Sequence, residues 1–274
     1  MSRRPVLALL ATLTLAGSAA AQPAGKSAPP AKTEVTWYGH SAFVVRTPKG
    51  KVLAIDPWFG NPVAQQKGVA PKLDRLDYIL VTHGHFDHVG EAIELGKKTG
   101  AKLVATFDLA QALTAAGYPA EQATMATSGN SGGAIVLDDE VTVTLVPAVH
   151  SSTFQAGDKG PVVPAGNPVG FVIQIAGGPT IYHTGDTDVF GDMKLIGDRY
   201  KPDLMLACIG GHFTMDPRGA ALAATLVRPR QIAPMHYGTF PILAGTPEEL
   251  ARELKAAKAT AKLIVPVLGE PFSL

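Results

Sequence analysis

A largely apolar run from Leu76 to Val81 ends in Thr82-His83-Gly84-His85-Phe86-Asp87-His88, and this junction constrains the fold more than any other stretch of the chain. The run reads as a buried strand, and a strand that hands over to a tight loop aims alternate side chains into one pocket. Imidazole nitrogen and carboxylate oxygen are the donors that a borderline divalent ion such as Zn²⁺ takes. Of the eight histidines in the chain, His83, His85 and His88 fall here beside Asp87. The spacing suits two neighbouring ions better than one, with His83 and His85 facing the first and Asp87 and His88 the second. The competing interpretation is a chance cluster on a solvated loop.

An H-x-H-x-D-H element after a strand resembles the signature of the metallo-β-lactamase superfamily, and further positions fit that resemblance in order. Lys51-Val-Leu-Ala-Ile-Asp56 supplies a strand-end Asp56, and Val141-Thr-Val-Thr-Leu-Val-Pro-Ala-Val-His150 a lone His150. Tyr182-His183-Thr184-Gly185-Asp186-Thr187 supplies Asp186, and Ile232-Ala-Pro-Met-His236 a late His236. The resemblance implies an α/β fold, an αβ/βα four-layer sandwich with metals at one sheet edge. It also implies two divalent ions, Zn or Mn: His83, His85 and His150 on the first, Asp87, His88 and His236 on the second, and Asp186 bridging. Two cations so placed acidify a shared water, so hydroxide becomes available near neutral pH to cut an ester, lactone or phosphodiester. Asp87 is then a catalytic as well as a ligating residue. Asp56 either orients ligand imidazoles from behind or is simply a turn residue before Pro57.

Within the superfamily the chain is similar to the branch of ascorbate-6-phosphate lactonase-like proteins and related metal-dependent hydrolases. Trp37-Tyr38-Gly39-His40-Ser41-Ala42-Phe43, His183 to Phe190, Gly210-Gly211-His212-Phe213-Thr214-Met215 and Met235-His236-Tyr237 carry that similarity. A β-lactam-hydrolysing enzyme is an alternative, disfavoured because such enzymes lack a bridging Asp where Asp186 stands. Di-iron flavoproteins of this fold carry Glu in place of His85, and the RNA-cleaving branch needs an inserted domain for which the chain has no room. A non-catalytic periplasmic protein that binds metal or ligand is the alternative from a different class.

Three histidines lie outside this ligand set. His183 is a candidate donor to a substrate oxygen or else a hydrogen-bonding partner within the scaffold. His212, in the Gly210-Gly211-His212 loop, is a candidate proton donor or a packing residue. His40 follows Gly39 at an early hairpin and reads as a satisfied structural histidine.

The N-terminus has Arg3 and Arg4, an apolar run from Val6 to Leu15, and Ala19-Ala20-Ala21 before Gln22. That order is a secretory signal peptide over residues 1–21, too short for a stable membrane anchor, so a periplasmic or secreted location is expected. The Arg pair leaves twin-arginine export open beside the ordinary route. Residues 22–32 are rich in Pro, Ala, Gly and Ser and read as a linker, and residues 33–274 as one metallo-hydrolase domain. The formal net charge of +1, with no basic run, argues against nucleic acid as a partner and leaves a small-molecule substrate. Cys208, the single cysteine, sits in an apolar run and reads as a buried hydrophobe. Short β-branched runs predict strands from Val35–Tyr38 through Leu263–Val265. Helices are expected over Gly90–Lys98, Leu109–Ala116, Pro217–Leu226 and Thr246–Ala259.

Overall fold

Short runs of β-branched and aromatic residues build two seven-stranded sheets in the computed structural model, which describes Met1 and residues 32–274. The strands are β1 Glu34–Trp37, β2 Phe43–Arg46, β3 Val52–Ile55, β4 Tyr78–Leu80, β5 Lys102–Thr106, β6 Ser128–Gly129, β7 Ala134–Val136, β8 Val141–Pro147, β9 Thr153–Gln155, β10 Val162–Pro164, β11 Val169–Ile175, β12 Thr180–His183, β13 Leu204–Cys208, β14 Gln231–Met235, β15 Lys262–Leu263 and β16 Pro271–Ser273. The first sheet has the order β16-β1-β2-β3-β4-β5-β6, and the second β15-β14-β13-β12-β11-β8-β7. Each is part antiparallel and part parallel. Hairpins β1–β2–β3 give way to parallel β3–β4–β5, and antiparallel β7–β8–β11–β12 give way to parallel β12–β13–β14–β15.

Period-two alternation sets the layers. Val35, Trp37, Phe43, Val45, Leu53, Ile55 and Leu80 project from the first sheet into a core shared with Val143, Leu145, Phe171 and Ile173 of the second. Their strand neighbours Val44, Val52, Ala54 and Ile79 project the other way. There they meet two of the helices, which run in chain order α1 Pro62–Lys67, α2 Phe86–Val89, α3 Ala92–Thr99, α4 Phe107–Ala115, α5 Met193–Tyr200, α6 Pro217–Val227 and α7 Pro247–Ala256. Ala92 of α3 and Leu109 and Leu113 of α4 cover the outer face of the first sheet. Met193, Ala220, Ala224 and Leu250 bring α5, α6 and α7 into the core that contains the second sheet. The result is the four-layer αβ/βα sandwich expected from the resemblance.

Local chemistry accounts for where the helices differ from expectation. The helix expected from Gly90 instead breaks there: Gly90 adopts φ +43°, ends α2, and lets α3 begin at Ala92. A side chain at Gly90 would collide with the Trp58 Cα and the Pro57 carbonyl oxygen. α7 starts as anticipated, with a reciprocal capping box between Thr246 and Glu249, and stops at Ala256, short of Ala259. α1 and α5 were not expected, and the stretch Ser151–Gly166, unreadable as sequence, contains the antiparallel hairpin β9–β10. Cys208 is fully buried in β13. Among the described residues no helix is long and apolar enough to cross a membrane. The residues read as signal peptide and linker, Met1 and Lys32 apart, lie outside the described residues.

Candidate metal centre

β3, β4, β8, β12 and β14 all deliver a polar residue at or just beyond their carboxyl ends, and these residues meet in one place. Asp56 follows β3 directly, His83 lies beyond β4, His150 beyond β8, Asp186 beyond β12 and His236 directly after β14. Asp87 and His88 lie on the single turn of α2, which starts after His85. The loop carrying Asp186 reaches the His83 loop because position 185 is glycine. Gly185 has φ +61°, and a Cβ there would sit 2.5 Å from the Val169 carbonyl oxygen and 3.2 Å from Thr82 Cβ.

His83, His85 and His150 come together as one candidate ligand group. His83 Nε2 lies 2.9 Å from His85 Nδ1, which is 3.3 Å from His150 Nε2. Burial lowers the basicity of all three rings, and His83 falls well below the ordinary imidazole value. Each neutral imidazole keeps one N–H and offers one lone pair, and three such lone pairs turned to one point are what a cation takes.

The second group is built around carboxylates. Asp186 spans the centre: Oδ1 is 3.3 Å from His88 Nε2, while Oδ2 is 2.9 Å from His236 Nε2 and 3.7 Å from His150 Nε2. Asp87 Oδ2 is 3.8 Å from His236 Nε2 and 3.9 Å from His88 Nε2. Burial opposes charge on His88 and His236, but Asp186, joined at His88 by Asp56, outweighs it. His88 rises well above the usual imidazole value, and His236 is pushed up to about 9. Burial would equally raise the carboxyls, yet His236 and His88 hold Asp186, and His236 and His40 hold Asp87, well below the usual carboxylate range. Positive charge on His88 and His236 is favoured beside Asp186, as a cation's would be.

The buried polar atoms test whether a metal fits. His88 Nε2, Asp186 Oδ1 and both His236 ring nitrogens are buried without an aligned hydrogen bond. Buried polar atoms seldom go unpaired without a missing partner. Here the unpaired atoms of three ligands belong to one centre, so the donor set fits bound divalent ions.

Two further residues hold the ligands in place. Asp56, at φ +44° and fully buried, accepts from the Thr82 N–H at 2.8 Å, the Thr82 hydroxyl at 2.7 Å and His88 Nδ1–H at 2.7 Å. The His88 contact fixes the tautomer that turns Nε2 toward Asp186. His40, read as a satisfied structural histidine, is buried with both ring nitrogens hydrogen-bonded, and it also stands among the candidate ligands, which the sequence did not show. It lies within ligand distance of Asp87, His88 and His236. Its Nε2–H donates to Asp87 Oδ2 at 2.9 Å, so Nδ1 accepts from the Thr239 hydroxyl at 2.8 Å. Burial, then the neighbouring His236 charge, lowers His40 to about 4, consistent with the neutral ring this chain requires. Its left-handed φ of +50° after Gly39, shared with Asp56, His212 and His236, is invisible in the sequence.

The structure brings neither candidate proton donor to the site. His183 is fully buried; its Nδ1 accepts from the Gly185 N–H at 3.1 Å and its Nε2 faces the Ser41 carbonyl at 3.2 Å. With both nitrogens engaged by main chain, it takes the scaffold role. His212 is exposed at φ +56° with its ring edge against Phe213. Phe213 lines the cavity over the ligands and His212 does not. That cavity holds about 330 Å³ and is bounded by His85, Phe86, Asp87, His150, Ser151, Asp186, Phe213 and His236.

Comparison with known proteins follows the same lines. The family described as "Beta-lactamase superfamily domain" matches residues 52–237. A protein of Anaeromyxobacter sp. (strain K) named UPF0173 metal-dependent hydrolase is 60% identical, covering 88% of this chain and 87% of its own. A namesake in Thermodesulfovibrio yellowstonii is 51% identical, over 88% of this chain and 92% of its own. Among solved structures, Igni18, a metallo hydrolase of Ignicoccus hospitalis, superposes with a TM-score of 0.74 at 34% identity, covering 89% of this chain and 99% of that one. The chain belongs to the metallo-β-lactamase superfamily, in the group whose members are named metal-dependent hydrolases.

Proposed function

We propose that this metal-dependent hydrolase works through a dinuclear centre and cleaves an ester, lactone or phosphodiester bond of a small molecule. The observation that carries the proposal is that five of the seven candidate ligands, His85, Asp87, His150, Asp186 and His236, line one cavity, and that buried atoms of His88, Asp186 and His236 have no hydrogen-bond partner. His83, His85 and His150 would hold one divalent ion, Asp87, His88 and His236 the other, with Asp186 between them. Zn and Mn both suit this mixture of imidazole and carboxylate. When bound, such ions polarise the scissile oxygen and acidify a water shared between them.

The chain's own residues do the rest. Asp186 sets the spacing of the two ligand groups. Asp56 keeps His88 Nε2 facing inward, and the Thr239–His40 pair keeps Asp87 Oδ2 in register. Asp87 is the lining carboxylate most open to the cavity and stands where it orients the attacking water by accepting a hydrogen bond from it. Phe86 and Phe213 wall the cavity and limit bulk water.

A chromogenic panel of esters, lactones and phosphodiesters, run with added Zn²⁺ or Mn²⁺ and repeated with chelator, tests the proposal. Metal-dependent turnover of at least one class is expected. Full metal occupancy with no turnover across the panel, β-lactams included, would favour a binding protein instead. Export by the N-terminal signal is part of the same proposal. Its test is the intact mass of protein from a periplasmic fraction, where loss of residues 1–21 is expected and a retained, membrane-bound N-terminus would reverse it.

A further inference from the structure

A second cavity of about 720 Å³ lies beside the candidate metal centre and shares His85 and Phe86 with it as a common wall. One side is formed by Phe86 and Val89 of α2, Ile93 of α3 and Ala116 after α4; the other by Phe154 and Val162 of the β9–β10 hairpin. The hairpin side is tied to the metal-binding loop, because the Gly84 N–H donates to the Ser152 hydroxyl, which donates to the Ala165 carbonyl. The cleft is therefore placed by the same residues that place the ligands. Phe86 and Val162 are 69% and 63% exposed at its lip, which leaves apolar surface open to water beside the reacting centre.

The charges of both cavities point the same way. Neither has a lysine or arginine among its lining residues, and the only charged side chain lining the cleft beyond the imidazole of His85 is the carboxylate of Asp158. An anionic group held away from the candidate ligands would meet apolar side chains, the neutral Thr153 and Gln155 and the like charge of Asp158, with no cation to pair it. A lactone or ester with a remote phosphate has no partner for that phosphate here. An alkyl or aryl group loses water against Ile93, Phe154 and Val89 at no such cost.

We propose that the cleft bounded by α2, α3 and the β9–β10 hairpin binds the non-reacting half of the substrate, and that this half is an uncharged alkyl or aryl group. The inference rests on the hydrolase reading of the metal centre. It places the scissile group at His85 and Asp87 and directs the apolar substituent over Phe86 toward Ile93.

Matched ligands separate this inference from the reading beneath it. Metal-loaded protein is titrated calorimetrically with hexanoate and with adipate, which has the same chain length and a second carboxylate. In parallel, turnover is measured on 4-nitrophenyl esters of acetate, hexanoate and adipate. Hexanoate is expected to bind more tightly than adipate. Among the esters, kcat/KM should rise roughly fourfold per added methylene until the cleft fills. Ile93→Lys, or Val162→Lys should the first variant fold poorly, should narrow or reverse the hexanoate preference while leaving metal content unchanged. Equal or tighter binding of adipate by the unaltered protein would overturn the inference, as would a preference indifferent to both lysine variants. Hexanoate preference without turnover of any substrate would overturn the hydrolase reading and leave the cleft's specificity standing.

Discussion

Asp186 is the residue on which the two ligand groups depend, since its two oxygens face His88 on one side and His236 and His150 on the other. Asp186→Asn keeps the shape and weakens the bridge, so turnover on the best panel substrate should fall by at least about a hundredfold, the upper range for perturbed metal shells. Thermal melting with saturating metal should still show a cooperatively folded domain. Near-normal turnover would remove Asp186 from the bridging role. His40 calls for a different variant, because its ring packs 3.9 Å from that of His236 and removing it would disturb both. Thr239→Val cuts the hydroxyl from the Thr239–His40–Asp87 chain and leaves the ring in place. Affinity for the second ion should drop about tenfold, with Thr239→Ser restoring it and the first ion unaffected; metal titration followed by elemental analysis reads this. Most candidate ligands were legible because each follows an apolar run and matches an ordered family pattern. His40 was not, because its importance comes from Asp87 and Thr239, partners 47 and 199 residues away.

At the scale of elements, the local rules worked where the signal was local. The Thr246-Pro247-Glu248-Glu249 start of α7 is a capping box in the structure as in the sequence. Gly90 misled because glycine within an apolar-periodic stretch is common, whereas here the residue is required by the close approach of Pro57 and Trp58. α1 has one buried residue in six, so it offers no apolar periodicity; its marks are the Asn61 cap and the left-handed Gly68. β9 and β10 are three residues each and pair only with each other, too short for alternation to show, and β16 reaches β1 across nearly the whole domain, with no near neighbour in sequence to reveal it. Gly90→Ala tests the element junction. Positive φ together with a backbone collision should cost about 3 kcal/mol. That corresponds to a fall in melting temperature of roughly 6–12 °C for a domain of this size. An unchanged melting temperature would mean that the α2–α3 break tolerates a side chain.

At the scale of the whole molecule, two mixed sheets bring their strand ends to one edge and concentrate acids and imidazoles there, so charge and stability are linked at the site. In metal-free protein His236 is raised to about 9 from an ordinary 6.5. A raised folded-state value adds stability that is complete below about 6.5 and is lost as pH rises through 9. Metal reverses the dependence, because the ion takes the place of the proton and binds more tightly as protons leave. The melting temperature of metal-free protein should therefore fall between pH 6.5 and pH 9, and the gain on adding Zn²⁺ should widen over the same interval. A gain that shrank would place the ion elsewhere. The sandwich itself followed from the family resemblance and not from periodicity, since the strands are too short and too evenly buried for their sheet assignment to be read from the chain.

The dinuclear centre stands or falls on metal stoichiometry. Protein reconstituted with excess Zn²⁺ or Mn²⁺, freed of unbound ion and analysed for metal content should hold two ions per chain, and Asp87→Ala should hold one. A maximum of one ion in the unaltered protein, with Asp87→Ala leaving that content unchanged, would contradict it.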